Sequence, residues 1–268
     1  MIENLSTTME GLRFYRCYLE GEGGRMVNRI YAQSEYLHFV SQLFEEGLVD
    51  EEDRDIVELI LPDRLKRLYD VLNERTRYIS VLTEAVDDGH NQAAVLRSAD
   101  AFGIQDTTVV TGRAAFAPND LVTRSADKWL TIHHKPTIET AIGDLRQQGY
   151  QVFASHLSET AVPIENLDIS KPTVLIFGNE HQGVSKEAID LADGTFIIPM
   201  RGFVQSLNIS VAAALAMREL TERAKKEVGS AYYLTHEEKK ELFRDWMIKS
   251  LNKKVRQMIL DKKQLYHY

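Results

Sequence analysis

Residues 173–185 read TVLIFGNEHQGVS. The first five are apolar or β-branched with no alternation, the composition of a strand buried on both faces. The next eight hold two glycines around Asn179 and Glu180, which let backbone come close to a ligand or another chain segment, and end on Ser185, a residue suited to open a helix. The same texture recurs on either side. Ile79-Ser-Val-Leu, Thr107-Thr-Val-Val, Gln151-Val-Phe-Ala and Thr195-Phe-Ile-Ile are short runs of the same kind. Helical segments alternate with them: 91–102, opened by Asn91 and closed by Gly103; 138–148, closed by Gly149; one from about Ser185; and a longer one from about Ser206. The alternation predicts an α/β fold with a mostly parallel sheet over about 78–220.

The flanks differ in kind. Residues 31–77 carry helical apolar spacing, with Leu61–Pro62 as a boundary. Residues 1–30 contain four glycines and read as weakly ordered; GEGGR at 21–25 lacks the spacing and the preceding strand of a dinucleotide fingerprint. At the other end, Thr235-His-Glu-Glu is a capping box that predicts one long helix to about Leu260. The chain thus divides into an acidic, mainly helical extension (1–60), a central domain (61–220) and a basic helical extension (221–268).

The 268 residues carry a formal charge of −8, which taken whole argues against a polyanionic partner. Its distribution does not. Residues 1–60 hold 5 basic and 13 acidic side chains, whereas 218–268 hold 13 basic and 8 acidic. A basic tail of this kind suits phosphate contacts, although solvated helix faces would give the same count. Cys17 is the single cysteine, so no intrachain disulfide is possible and a reducing, cytoplasmic setting is expected. The longest stretch without Asp, Glu, Lys or Arg, 202–217, is too short and too polar for a membrane span, and no secretion signal is visible at the N-terminus.

Three polar clusters follow predicted strands: GHNQAAVLRSADAFG (89–103), FGNEHQGVS (177–185) and IPMRGFVQSLNISVAAALA (198–216). Ligands of open α/β sheets bind at such strand ends. Arg97 follows Asn91 by six residues, nearly two helical turns, and so roughly on the same side. Ala212, Ala213, Ala214 and Ala216 give a helix surface of little bulk that admits close packing. Any one cluster is explained by a capped helix and a turn; three at successive strand ends are much less easily explained in that way. The chain has no P-loop, no H-E-x-x-H, no G-x-S-x-G and no Cys–His pair. Arg, Glu, Asn and Ser without metal or nucleophile suit the binding and orientation of a phosphate-bearing substrate.

At these clusters the sequence resembles the SpoU/TrmH family of SPOUT RNA ribose 2′-O-methyltransferases, over about residues 62–220. HNQAAVLRSADAFG, LIFGNEHQGVS and IPMRGFVQSLNISVAAALA resemble its three motifs in order and spacing, and SADKWL at 125–130 resembles a stretch between them. Gly89 departs from the proline that many relatives place before the His-Asn pair. The resemblance implies a deep trefoil knot, S-adenosylmethionine as cofactor, no metal, and a homodimer whose active site is completed across the interface. It implies that Arg97 is catalytic and that Asn91, Glu180, Ser206 and Asn208 shape the site. By motif alignment, Ser155, Gly178, Ile198 and Leu207 contact the cofactor. YYLTHEEKKELFRDW (232–246) is similar in kind to the helical extension of the tRNA-modifying branch, whose expected target is a D-loop guanosine at position 18. A ribosomal RNA target, or a non-catalytic RNA-binding assembly factor with the same fold, are the alternatives.

Overall fold

The computed structural model describes residues 33–112, 116–119, 123, 126–204 and 206–265, with side chains described to 259. The expectations for residues 1–30, including Cys17, and the first residue of SADKWL lie outside the described residues. The chain forms two compact units. One joins residues up to Tyr69 with those from His236 onward; the other spans Asp70–Thr235.

The Asp70–Thr235 unit is built on a seven-stranded sheet: β1 (Ile79–Glu84), β2 (Asp106–Val110), β3 (Thr131–Lys135), β4 (Gln151–Ser155), β5 (Val162–Pro163), β6 (Thr173–Phe177) and β7 (Gly194–Ile197). Their order is β3-β2-β1-β6-β4-β7-β5, and every pairing is parallel. The helices are α4 (Gly89–Ala101), α5 (Ile138–Gln147), α6 (Lys186–Leu191) and α7 (Ile209–Glu227). With helices on both faces, successive side chains of β1, β2 and β6 are all buried, which is why their sequences do not alternate. Ile79, Val81, Leu175 and Phe177 meet Val95, Leu96 and Ala99 of α4 and Ala213, Ala216, Met217 and Leu220 of α7 on one face. Leu82, Val174 and Ile176 meet Ile138, Ala141, Ile142 and Leu145 of α5 and Ala188 of α6 on the other.

The five strands predicted from apolar runs are present. Two others are not signalled by such runs: β3, whose Thr-Ile-His-His-Lys is half-buried or exposed at the sheet edge, and the two-residue β5. Helix ends follow local chemistry. Gly103 and Gly149 close α4 and α5 at φ +77 and +89, the left-handed backbone that glycine adopts without penalty. The start of α4 corrects the sequence expectation: Asp88, not Asn91, is the N-cap, its Oδ1 accepting from the backbone N–H of His90 (2.7 Å) and Asn91 (3.0 Å).

In the other unit, α1 (Gln33–Glu45), α2 (Arg54–Glu58) and α3, which starts at Pro62 and runs to Leu72, come from the acidic end. α8 (His236–Ser250) and α9 (Lys253–Leu265) come from the basic end. The long helix expected to about Leu260 is therefore two: Leu251 and Asn252 interrupt it, and Asn252 Oδ1 accepts from Val255 N (2.9 Å) to open the second. Leu43, Leu48, Val49, Ile56, Val57, Ile60 and Leu65 are buried in the first segment, and Leu242, Phe243, Trp246 and Met247 in the second. Lys240 pairs with Asp50 (2.9 Å), and Arg244 with Asp53 (2.9 Å), whose side chain is only 4% exposed. The two ends, read from sequence as separate extensions, are one packed unit.

Candidate active site

All strands run in one direction, so the loops after β1, β6 and β7 leave the same edge of the sheet, with the end of β4 between the last two. After β1 the chain passes through Ala85 at φ +51 and reaches α4 within a few residues. Asn179, just beyond β6, holds that turn: its Nδ2 donates to Ala85 O (2.8 Å), while its Oδ1 accepts from His181 N (2.9 Å). Its backbone pairs with Gly183 in both directions (2.9 and 2.8 Å), folding 179–183 back on itself. A Cβ on Gly178 would lie 2.1 Å from Gly183 O, so only glycine fits this closure.

This folding brings one residue from each loop together. Asn208, the N-cap of α7, accepts at Oδ1 from Ser210 N (2.8 Å) and Ser210 Oγ (2.5 Å). Two donors on one oxygen fix which way the amide faces, because a flipped amide would set N–H against N–H. Asn208 Nδ2 therefore donates to Asn91 Oδ1 (3.2 Å), and Asn91 Nδ2 in turn donates to Glu180 Oε1 (2.7 Å). The result is a directed chain, Asn208 to Asn91 to Glu180, ending on a carboxylate that acts as acceptor. Because Asp88 takes over the capping of α4, the Asn91 side chain is free for this role. The N–H groups of Asn91 and His90 also hold the Asp88 carboxyl below its ordinary pKa, so it stays ionised as the cap.

The remaining candidates divide in two. Gly178 is buried just past β6; Ser155 ends β4; Ile198 follows β7; Leu207 precedes the α7 cap; and the last three are half-buried. They sit at the ends of neighbouring strands or beside the cap, and none of the four side chains carries a charge. Arg97 and Ser206 are exposed, and among the described residues no hydrogen bond or ion pair engages either one. Six helical residues turn through about 600°, which sets Arg97 roughly 120° around α4 from Asn91 rather than on the same side. Asp88 and Ser210 were not singled out from sequence, and Asn179 was noted only for the glycines around it. The N-x-S spacing at 208–210 was the available signal for the last of them.

Comparison with known proteins bears on the same loops. The model of the SpoU rRNA Methylase family matches residues 78–218. A tRNA (guanosine(18)-2′-O)-methyltransferase of Aquifex aeolicus is 35% identical over 190 residues, covering 70% of this chain and 90% of the relative. The protein of the same name from Thermus thermophilus is 36% identical, covering 69% and 96%. The crystal structure of an A. aeolicus TrmH/SpoU tRNA modifying enzyme superposes with a TM-score of 0.65 at 34% identity, covering 71% of this chain and 98% of that one. The matched span runs from the strand before Asn91 into the helix that Asn208 caps, and on that ground the chain belongs to the SpoU rRNA methylase family.

Proposed function

We propose that this protein transfers a methyl group from S-adenosylmethionine to the 2′-hydroxyl of a tRNA ribose, at guanosine 18 of the D-loop. The observation that carries this reading is the directed amide chain joining three strand-end loops, in a protein about 35% identical to relatives of that name. The cofactor supplies an electrophilic methyl group; Ser155, Gly178, Ile198 and Leu207 are the residues to hold it. Asn208 and Asn91 present amides of fixed orientation, and Glu180 closes the chain as acceptor. Arg97 does not serve as a base, since a guanidinium offers only N–H donors and no acceptor. Its role is to orient the ribose hydroxyl and an adjacent phosphate, whose oxygen helps take the hydroxyl proton.

The same reading includes a homodimer, a trefoil knot and a cytoplasmic setting. Val211 and Leu215 support the dimer: they lie one turn apart on α7, and both are close to half exposed. A second copy over that face would bury them and supply surroundings for Arg97. The run of alanines at 212–216 supports a closely threaded chain. No helix among the described residues is long and apolar enough to cross a membrane. For phosphate contacts, the ion pairing within the basic tail favours α9 over α8. Lys240, Arg244 and Lys249 of α8 are paired with Asp50, Asp53 and Asp245. Lys253 and Lys254 of α9 are exposed, and no described ion pair engages them or Arg256.

Mass spectrometry of nucleosides in total RNA from cells lacking the protein tests this. Loss of 2′-O-methylguanosine at tRNA position 18 is expected. A loss confined to ribosomal RNA, or none at all together with no calorimetric binding of S-adenosylmethionine, overturns it.

A further inference from the structure

The segment 198–208 leaves the sheet at Ile198, which packs against the core, and ends at Asn208 in the amide chain. Its midpoint is Phe203. That side chain is 107% exposed, fully in water, and Arg201, Gly202 and Val204 around it are exposed as well. Phe177 and Phe196, in contrast, are buried and packed edge to face against each other. Phe203 is the only phenyl ring in the stretches 85–88, 178–185 and 198–208 that follow β1, β6 and β7. Asn91, Glu180 and Asn208 offer hydrogen bonds but no apolar plane.

We propose that Phe203 is a stacking platform for an unpaired base of the RNA substrate, close to the nucleotide whose ribose is methylated. The inference rests on the proposed RNA ribose reaction and adds to it the residue that holds the base. Transfer to a 2′-hydroxyl engages the sugar and leaves the base to be held separately. Proteins that bind RNA loops hold splayed bases on aromatic rings, a contact that tolerates sequence because every base has a π-face. Arg201, two residues earlier, is placed to meet the phosphate beside a stacked base, by charge or by its guanidinium plane.

The test uses the full chain carrying Phe203→Ala, Phe203→Leu or Phe203→Trp, with an unmodified tRNA transcript as probe. The readouts are kcat, KM and Kd for the transcript, S-adenosylmethionine affinity by calorimetry, and mass by light scattering. Stacking of one base predicts that Phe203→Ala raises KM and Kd for the transcript about 5- to 150-fold, with kcat, cofactor affinity and mass unchanged. Phe203→Trp should restore wild-type affinity and add fluorescence quenching on RNA binding beyond that of the wild type. Phe203→Leu, apolar but without a ring, should resemble the alanine variant. Wild-type behaviour of Phe203→Leu or of Phe203→Ala overturns the proposal. So does a change in mass or cofactor affinity, which would assign the ring to a second copy or to the cofactor. If the wild type methylates no tRNA, the functional reading fails, and the Kd series for the transcript still decides whether the ring stacks.

Discussion

Asn91 and Arg97 stand on the same helix, within the same thirteen residues, and the fold treats them oppositely. Asn91 is held from two sides by residues more than eighty positions away in sequence, at 2.7 and 3.2 Å. Arg97 extends into solvent, unengaged among the described residues. On the proposed reading, one half of the site is built by the single chain, and the other half is left for substrate, or a second copy, to position. A prebuilt polar cluster spares reorganisation during reaction, which is where electrostatic catalysis gains most. An exposed cation outside it would, on the same reading, meet a phosphate that arrives with the substrate.

The largest break in this contrast is at the prebuilt half's foundation. Gly178→Ala forces a Cβ to within 2.1 Å of the Gly183 carbonyl, and a loss of about 4–5 kcal/mol or more is expected. Chemical denaturation, or failure to obtain soluble protein, reads it out. Arg97→Ala should do the reverse: methyl transfer falls by about 10³-fold while melting temperature and cofactor affinity stay at wild-type values, since no side-chain hydrogen bond or ion pair among the described residues is lost. Near-normal turnover would remove Arg97 from the site. Asn208→Asp separates the two duties of that residue. It keeps the cap, because an aspartate oxygen still accepts from Ser210 N, and it loses the donor to Asn91. Stability should hold within roughly 0.5 kcal/mol while kcat drops by about 10²-fold; Asn208→Ala should lose both. The smallest effect concerns the basic tail. Replacing Lys253, Lys254 and Arg256 with alanine should leave the rate at saturating RNA unchanged. The slope of log affinity against log salt should fall by about 2–3, and an unchanged slope would exclude α9 from RNA contact.

Much of this was legible in the sequence, for identifiable reasons. β1, β2 and β6 are buried along their whole length, so burial itself writes the apolar run. β3 pairs with only one neighbour and spends its side chains on polar work, with His133 Nε2 3.0 Å from Asp106 Oδ1 and Lys135 Nζ 2.5 Å from Asp144 Oδ2. No run can mark such a strand. At the start of α4, Asp88 and Asn91 are both good capping residues, and only the backbone path decides between them. Asn252 is also a capping residue, hidden inside a helical pattern that continues on both sides of it. Strand-end placement located Asn91, Glu180 and Asn208, but a count of helical turns misplaced Arg97. The pairing of the chain's two ends is visible in outline as opposite charge, yet the contact of Asp53 with Arg244 spans 191 positions, which no local pattern encodes.

That last pairing has a consequence for synthesis. Translation proceeds from the N-terminus, so residues 33–69 emerge long before their partners in 236–265 exist. At 5–20 residues per second the interval is roughly 10–30 s. During it the apolar residues of α1, α2 and α3 wait uncovered while the parallel sheet assembles. A message cut short, or a ribosome stalled near the end, would yield a chain whose sheet is complete and whose helical unit never closes. Cellular quality control, which recognises exposed apolar surface, could then distinguish finished molecules from unfinished ones.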